Sequence, residues 1–196
     1  MPKVNQPSSR ARLLDAAQDL LREGGMSGTG IKDVVARSGA PIGSLYHYFP
    51  QGKTQLVTES LEAQAEKSRK LLERFFNGQV TAAAALRSLF KTAADGFERA
   101  GANKACAIGA VTLDLTRSDK ELRDICKNTF DQWISVITPH LPFSDERSRQ
   151  IFAMTVVAAL EGAFILGKAT QSGDPFRSVG ECLAVMIPTN RTVRVR

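Results

Sequence analysis

The sequence predicts an all-α protein in which a small three-helix unit precedes a larger helical body. Apolar residues recur at spacings of three and four through most of the chain, which is the period of an amphipathic helix. Short stretches containing Gly or Pro separate these segments, and no segment reads as a convincing strand. The length of 196 residues suits one body with a small appended module.

The first helix is predicted by an apolar stripe at positions i, i+3, i+4, i+7 and i+8. Ser8 or Ser9 stands where an N-cap is expected, and Gly24 and Gly25 stand where the helix should end. These signals place one amphipathic helix before residue 25. The stripe consists of Leu13, Ala16, Ala17, Leu20 and Leu21.

A second, short helix is predicted between Thr29 and Gly39. Thr29 stands at its start as the expected cap. Asp33 places a negative charge in the first turn, where the helix dipole favours it. The apolar pattern of this helix, at i, i+3 and i+4, is formed by Ile31, Val34 and Val35.

The segment "GAPIGSLYHYFPQGK" predicts a sharp turn followed by a third helix. Gly39 can adopt the positive φ of a tight turn, and Pro41 suits a helix start because its missing N–H has no partner there. At helical spacing Ile42, Leu45 and Phe49 share the buried face. A period of two gives no clean apolar face, which excludes a strand. The outward side then carries Gly43, Ser44, Tyr46 and His47.

Six further helical segments are predicted in the body, with Gly- and Pro-containing stretches between them. The apolar run from Ile151 to Gly167 is shorter than the ~20 residues that span a bilayer and contains Glu161, so it predicts a buried helix of a soluble protein. The predicted segments are 53–76, 81–100, 105–116, 120–141, 145–170 and 175–187. The predicted domains are a three-helix unit at 1–52, the helical body at 53–188 and a basic tail at 189–196.

The first three helices also predict a function. Two short helices joined by a Gly-containing turn have the form of a helix-turn-helix, whose second helix enters the DNA major groove. Gly43 and Ser44 allow the helix backbone to approach the groove closely. Tyr46 and His47 carry groups that can reach phosphates or base edges.

Thr29 and Lys53 stand at the starts of the two flanking helices. Side-chain donors and free backbone N–H groups at such positions favour a phosphate group. The net charge of +6 suits a polyanionic partner, although many proteins without one share it. Double-stranded DNA is therefore the predicted partner.

The run "RLLDAAQDLLREGGMSGTGIKDVVARSGAPIGSLYHYFPQGKTQLV" resembles the N-terminal DNA-binding domain of the TetR/AcrR family of bacterial transcriptional regulators. The core "GSLYHYF", followed by a lysine at the next helix start, carries most of this resemblance. The spacing in "FPQGK" and the later "LEGAFILGKATQSGDPF" resemble the LmrA/YxaF-like subgroup. The resemblance implies DNA contacts from Thr29, Gly43, Ser44, Tyr46, His47 and Lys53, with Tyr48 at the boundary of this set.

For the body, the resemblance implies a helical domain that binds a small, partly apolar effector and forms a homodimer through its last two long helices. Such a protein is most often a repressor of a palindromic operator. Candidate effector contacts are Phe97, Phe130, Trp133 and Glu161. Core packing is the alternative for each aromatic residue, and a position at the edge of the core is the alternative for the carboxylate.

The penultimate helix also carries small residues that permit close helix–helix approach. This approach can occur across a dimer interface or inside one monomer, and the sequence leaves both open. The small residues are Ala158, Ala159, Gly162, Ala163 and Gly167.

The sequence gives little support for a secreted, disulfide-rich or metal-binding protein. Cys106, Cys126 and Cys182 are odd in number and widely spaced, which argues against a disulfide framework or a CxxC metal site and favours the reducing cytoplasm. The first residues lack the apolar core of a signal peptide. No metal or cofactor is predicted, because His140 has no Cys or carboxylate at metal-ligand spacing.

An enzyme is also disfavoured. The "GKT" at residues 52–54 matches the end of a P-loop, but the upstream glycine of that motif would fall at His47 and no strand precedes it. No HExxH or GxSxG motif occurs. The sequence therefore predicts a ligand-responsive DNA-binding regulator with no catalytic residues. The alternative is a helical protein-interaction module or a small-molecule-binding protein that does not bind DNA.

Overall fold

The computed structural model describes residues 7–79 and 81–188. Over these two ranges the chain is entirely helical apart from turns and loops, so the predicted all-α class is confirmed. The predicted tail at 189–196 lies outside the described residues. The helices are α1 (Ser9–Gly24), α2 (Ile31–Ser38), α3 (Ile42–Tyr48), α4 (Lys53–Asn77), α5 (Ala82–Arg99), α6 (Ala107–Asp114), α7 (Lys120–Ile137), α8 (Glu146–Thr170) and α9 (Asp174–Met186).

Local signals explain most of the helix limits. Ser8 caps α1, since its hydroxyl oxygen accepts a hydrogen bond from the Ala11 N–H at 3.2 Å. Thr81 and Asp145 cap α5 and α8 in the same way. The segment predicted at 120–141 divides, because Pro139 lacks an N–H and the chain tightens into a 3-10 turn at Thr138–His140 after α7.

The chain divides into two compact units. The first unit groups the residues up to Lys67 with Lys104–Thr129, and the second groups Ser68–Asn103 with the residues from Phe130 onward. Both α4 and α7 contribute to both units. The predicted domain boundary after residue 52 stays a prediction. The two compact units meet inside α4 and α7, and this structural division does not test which residues bind DNA.

The core of the first unit is built from one face of each N-terminal helix. The predicted stripe of α1 is buried along its whole length. Leu45 and Phe49 of the third helix segment are fully buried against it. Each such side chain stabilises the fold by about 1.5–3 kcal/mol relative to exposure. The other fully buried members of this cluster are Leu13, Ala17, Val34 and Leu56.

The assignment of Ile42 to this core was wrong. Ile42 is 53% exposed, whereas Ala40 in the preceding turn is buried at 4%. The reason is that Ile42 is the first residue of a helix of only seven residues. The turn residue reaches the core before the helix begins, so the apolar face of α3 is shorter than its sequence pattern.

The core of the second unit is formed where α5, α8 and α9 pack. Phe90, Phe97 and Phe176 are fully buried in this core. A Cβ atom at Gly180 would lie 2.4 Å from the Cβ of Phe90, and one at Gly167 would lie 2.9 Å from the Phe176 ring. Both glycines are therefore required by close approach within the unit.

An ionic cluster ties α5 to α9 at the surface of the second unit. The Arg177 guanidinium donates to Glu98 at 2.7 and 2.9 Å, and the Gly173 N–H donates to the same carboxylate at 2.9 Å. Hydrogen bonds from Arg177 and Gly173 lower the pKa of Glu98. A second pair on these helices joins Arg87 to Glu181 at 2.7 Å.

The prediction that the apolar run in α8 forms a buried helix holds for only one face. Phe152, Val156 and Ala163 are buried, but Ile151 and Ile165 are more than half exposed. By length and composition α8 would also suffice to cross a bilayer. Only 28% of its apolar window is buried inside the protein. The second unit therefore presents an apolar helical surface to its surroundings.

Candidate nucleic-acid interface

The turn between α2 and α3 is held by local hydrogen bonds. The Gly39 N–H donates to the Val35 carbonyl at 3.1 Å, and Gly39 has φ 61°, ψ 17°. The Ser38 hydroxyl donates to the same carbonyl and accepts from the Ala40 N–H, both at 3.1 Å. A side chain at Gly39 would strain this left-handed conformation. The turn thus fixes the direction in which α3 leaves the first unit.

The outward face of α3 is the recognition face defined by Gly43, Ser44, Tyr46 and His47. Tyr46 is 54% exposed and His47 is exposed, while Ser44 is half-buried. A Cβ atom at Gly43 would meet no atom within 4 Å. Because Leu45 and Phe49 anchor the opposite side, the structure brings together all four residues that the sequence placed on this face.

Tyr48 lies at the edge of the recognition face. It is 36% exposed, and its ring packs edge-on against the His47 ring with centroids 4.9 Å apart. Tyr48 therefore borders the recognition face and packs against its histidine.

Thr29 occupies a different place from the predicted one. Its side chain is 1% exposed, and its hydroxyl donates to the Gly25 carbonyl at 2.7 Å. The N-cap of α2 is Gly30, which has no side chain to cap the helix. The cap prediction for Thr29 was wrong, because the hydroxyl turns back to close the loop after α1.

Asp33 also affects the start of α2. Its carboxylate Oδ2 lies 2.5 Å from the position that a Cβ atom at Gly30 would occupy. A carboxylate at this helix start already uses the favourable dipole. The start of α2 thus already has a negatively charged side chain beside it.

Lys53 is the first residue of α4 and is half-buried. Its Nζ donates to the Met26 carbonyl at 2.8 Å. An ammonium group has three donors, so two hydrogens remain for another acceptor. The bond to Met26 joins the start of α4 to the loop that Thr29 closes.

The sequence did not reveal how α6 joins the loop after α1. The Ser27 N–H donates to the Asp114 carboxylate at 2.9 Å, and the Ala105 N–H donates to the Arg22 carbonyl at 2.7 Å. Lys104 pairs with Asp19 at 2.9 Å. These partners lie more than 80 residues apart in the sequence, so no local pattern could have predicted them.

The predicted effector contacts fall into two aromatic groups of the second unit. Phe97 is 1% exposed, and its ring centroid lies 5.3 Å from that of Phe176 in the α5–α8–α9 core. Phe130 packs edge-on against Trp133 at 5.4 Å. The Trp133 indole N–H donates to the Ser68 hydroxyl at 3.1 Å. Phe97 is a core residue, which is the alternative that the sequence had left open.

A surface cavity of about 360 Å³ lies elsewhere in the second unit. It is formed by the end of α7, the 3-10 turn and the start of α8. None of the predicted effector contacts lines it, and Glu161 lies half-buried further along α8. Its lining residues are Asp131, Ile134, Ser135, Thr138, Pro139, Glu146, Gln150 and Met154.

The cysteines and carboxylates show no built metal or redox centre in residues 7–79 and 81–188. No cluster of three His, Cys, Asp or Glu side chains that could hold a metal ion occurs there. All three cysteines are free thiols. Burial raises the pKa of the Cys126 thiol, which disfavours its reactive thiolate form.

Family comparisons cover both halves of the chain. The family "Bacterial regulatory proteins, tetR family" matches residues 13–59. The family of C-terminal domains described as "Transcriptional regulator LmrA/YxaF-like" matches residues 82–182. The first match contains α3 and the start of α4, and the second contains α5 to α8 and most of α9.

Individual proteins agree with these matches over nearly their full lengths. The chain is 26% identical over 187 residues to the uncharacterized HTH-type transcriptional regulator YxaF of Bacillus subtilis, covering 94% of this chain and 97% of YxaF. It is 28% identical over 179 residues to the HTH-type transcriptional regulator LmrA of the same organism, covering 89% and 94%.

The fold also matches a solved regulator–DNA complex. A cysteine mutant of the TetR family transcriptional regulator CifR, complexed with 26-bp double-strand operator DNA, superimposes with a TM-score of 0.77. The match covers 96% of this chain and 100% of the CifR chain at 16% identity. At this identity the likeness shows the shared fold.

Proposed function

We propose that this chain, which belongs to the TetR family of bacterial regulatory proteins and has an LmrA/YxaF-like C-terminal domain, is a ligand-responsive repressor. Family membership makes it a DNA-binding transcriptional regulator, as the sequence predicted. The repressor binds a palindromic operator as a homodimer and leaves it when a small effector binds. The observation that carries this proposal is the exposed recognition face of α3. The hydrogen-bonded turn before α3 fixes the direction of this helix.

Gly43 supports a close approach of DNA to α3. Glycine inside a helix costs about 1 kcal/mol relative to alanine. Nothing within 4 Å would oppose a methyl group at this position, so packing within the described residues does not explain the glycine. A partner that approaches the helix backbone does explain it.

The other residues of the recognition face have polar groups suited to DNA. We assign Ser44 and His47 to base edges, which are read in the major groove by hydrogen bonds. Tyr46 donates its hydroxyl to a phosphate, which positions the protein without reading sequence. Tyr48 contributes mainly by holding the His47 ring.

Lys53 is the proposed phosphate ligand at the start of α4. It has two remaining ammonium hydrogens, and the first turn of α4 supplies free backbone N–H groups beside it. Thr29 acts indirectly in this proposal. Its hydroxyl closes the loop that carries Met26, and the Met26 carbonyl in turn positions Lys53.

The homodimer forms through the apolar stripe of α8 and the outer face of α9. On α8, Ile151, Met154 and Ile165 are each more than half exposed, and on α9 Val185 is 70% exposed. These positions recur at helical spacing, as one continuous face requires. Contiguous exposed apolar surface of this kind marks a protein–protein interface, and a second copy presents the same face.

Some of the small residues of α8 pack inside the monomer, and others lie on its surface where a second copy could approach. Ala163 and Gly167 are buried inside the unit, and Gly167 adjoins Phe97 and Phe176. Ala158 is exposed, Ala159 is half-buried, and a Cβ atom at Gly162 would meet nothing within 4 Å. We therefore assign Ala158 and Gly162 to the dimer and Ala163 and Gly167 to the monomer core.

A partly apolar effector binds in the second unit. Phe130, Trp133 and Glu161 are its proposed contacts, whereas the tight packing of Phe97 assigns that residue to the core. The effector releases DNA by binding the DNA-incompetent state more tightly than the DNA-bound state. A near-complete switch requires a difference of about 5.5 kcal/mol between the two states. The role is regulatory rather than catalytic and is exercised in the cytoplasm.

The test measures DNA binding by fluorescence anisotropy at several salt concentrations. The probes are a fragment from upstream of the chain's own gene and a mixed-sequence duplex. Lys53→Ala should weaken binding to both probes and reduce the salt dependence, because phosphate contacts are independent of sequence. His47→Ala should change the preference between the probes.

Lys67→Ala is the matched control, since Lys67 is an exposed lysine further along the same helix. Thermal melts of each variant check that the fold is retained. The proposal fails if the wild-type chain shows no salt-dependent binding to either duplex.

A further inference from the structure

Arg12 on α1 has its charge balanced by no carboxylate of the described residues. Among the four arginines of α1 and α2, Arg10 pairs with Glu59, Arg37 pairs with Glu23 at 2.8 Å, and Arg22 donates to the Ala105 carbonyl at 3.2 Å. Arg12 has no carboxylate partner in the described part of the chain. Its one hydrogen bond goes from Nη2 to the Ser9 hydroxyl at 3.3 Å.

The Arg12 guanidinium is also partly removed from water. The residue is half-buried, and its Nε is buried without an acceptor in the described residues. A buried donor that makes no hydrogen bond destabilises the fold, and more strongly when it is charged. Buried polar groups are otherwise almost always satisfied, so such a group calls for a partner. An anion supplied from outside the chain would compensate the guanidinium charge through the two Nη groups.

Arg12 lies beside the turn that leads into the recognition helix. Its Nη1 is 3.8 Å from the position that a Cβ atom at Gly39 would occupy. Gly39 is two residues before Pro41, the N-cap of α3. In a helix-turn-helix the N-terminal residues of the second helix contact base edges in the major groove. The phosphates that border the groove therefore pass close to this turn.

We infer that Arg12 binds a DNA backbone phosphate next to the start of α3. This inference rests on the proposed function and adds a residue that the family resemblance did not assign. The guanidinium presents a planar fork of donors, which matches phosphate oxygens in a bidentate way. The Ser9 contact then orients the fork, while the phosphate compensates the charge.

The paired arginines provide internal controls. Arg10 is held by Glu59 and lies 5.7 Å from the centroid of the Phe49 ring, so it serves the core of the first unit. Arg37 is neutralised by Glu23 on α1. Both belong to the same three helices as Arg12, but their charge is already compensated.

The experiment measures the slope of log K against log salt on the mixed-sequence duplex and the upstream fragment. Arg12→Gln should reduce the slope by about 0.9 for each protomer bound to DNA, which is the value for one lost phosphate contact. It should weaken binding to both duplexes equally. Arg12→Lys should keep the slope but bind more weakly than the wild type, because lysine keeps the charge and loses the fork. Arg37→Gln, the matched control, should leave the slope close to that of the wild type.

The outcomes separate this inference from the proposed function. If Lys53→Ala lowers the slope while Arg12→Gln does not, the inference is overturned and the proposed function stands. If Arg12→Gln lowers only the melting temperature, Arg12 has a structural role and the inference is overturned. If the wild-type chain binds neither duplex, both fail together.

Discussion

The recognition face of α3 and the apolar stripe of α8 both expose residues that a solvent-facing helix does not need, but they differ in chemistry. The recognition face combines a glycine, hydroxyl groups and an imidazole around Gly43 and Tyr46. The stripe is aliphatic, with Ile165 exposed at 61%. A surface of hydrogen-bonding groups suits a hydrated polyanion, whereas an aliphatic surface suits another apolar surface. The difference indicates two distinct partners, DNA and a second copy of the chain.

The largest expected effect comes from a charge placed in the apolar stripe. Ile165→Glu should raise the dissociation constant of the homodimer by about 100-fold or more, because an unpaired buried charge costs several kcal/mol. Sedimentation equilibrium measures the change. DNA affinity should fall with it, since a monomer contacts one half-site.

Thr170→Glu is the control for this variant. Thr170 is exposed on the same helix but lies off the stripe. Equal dissociation of both variants would show that the stripe is not the dimer interface. The contrast between a DNA-binding face and a dimer face would then no longer hold.

The next effect separates a glycine that the fold requires from one that the partner requires. Gly180→Ala should destabilise the protein by about 1–3 kcal/mol, because its Cβ would collide with Phe90 and overpack the core. Urea denaturation measures the loss. An unchanged unfolding midpoint would contradict the close packing of α9 on α5.

Gly43→Ala should do the opposite. The added methyl group meets no neighbour, so the variant should gain up to about 1 kcal/mol from helix propensity. Its DNA affinity should nevertheless fall about tenfold, or about 1.4 kcal/mol, because the backbone can no longer approach the groove. A variant that is more stable and binds DNA as well as the wild type would show that α3 does not make this close contact.

The smallest effect concerns the ionic cluster around Arg177. This cluster belongs neither to the recognition face of α3 nor to the apolar stripe of α8. The pKa of Glu98 is lowered by the hydrogen bond from Arg177, so the folded state binds fewer protons than the unfolded state in mildly acid solution. This contribution is present above the ordinary carboxyl pKa and is lost as the pH falls through the folded value. Because the groups are exposed, the contribution is modest.

Arg177→Gln should therefore cause a small loss of stability at pH 7 and a shallower decline below about pH 5. Urea midpoints at pH 7, 5, 4 and 3 test this expectation. Arg147→Gln, at an exposed arginine of α8, should leave both features unchanged. A steeper acid decline in Arg177→Gln would reverse the sign of the argument.

The sequence by itself determined the all-α class, most of the helix limits and the order of the residues on α3. These properties depend on contacts within about four residues, such as caps, apolar spacing and the positive φ of Gly39. The motif around "GSLYHYF" also predicted the family, and the two family matches confirm it.

Only the tertiary structure decided how individual side chains are used. It exposed Ile42, buried the hydroxyl of Thr29 against Gly25, and joined Lys53 to Met26. It also divided the small residues of α8 between the monomer core and the free surface. These outcomes depend on which distant segment packs against each position, and sequence spacing carries no information about that. The charge of Arg12 belongs to the same class, because only the folded neighbours show that no carboxylate of residues 7–79 and 81–188 pairs with it.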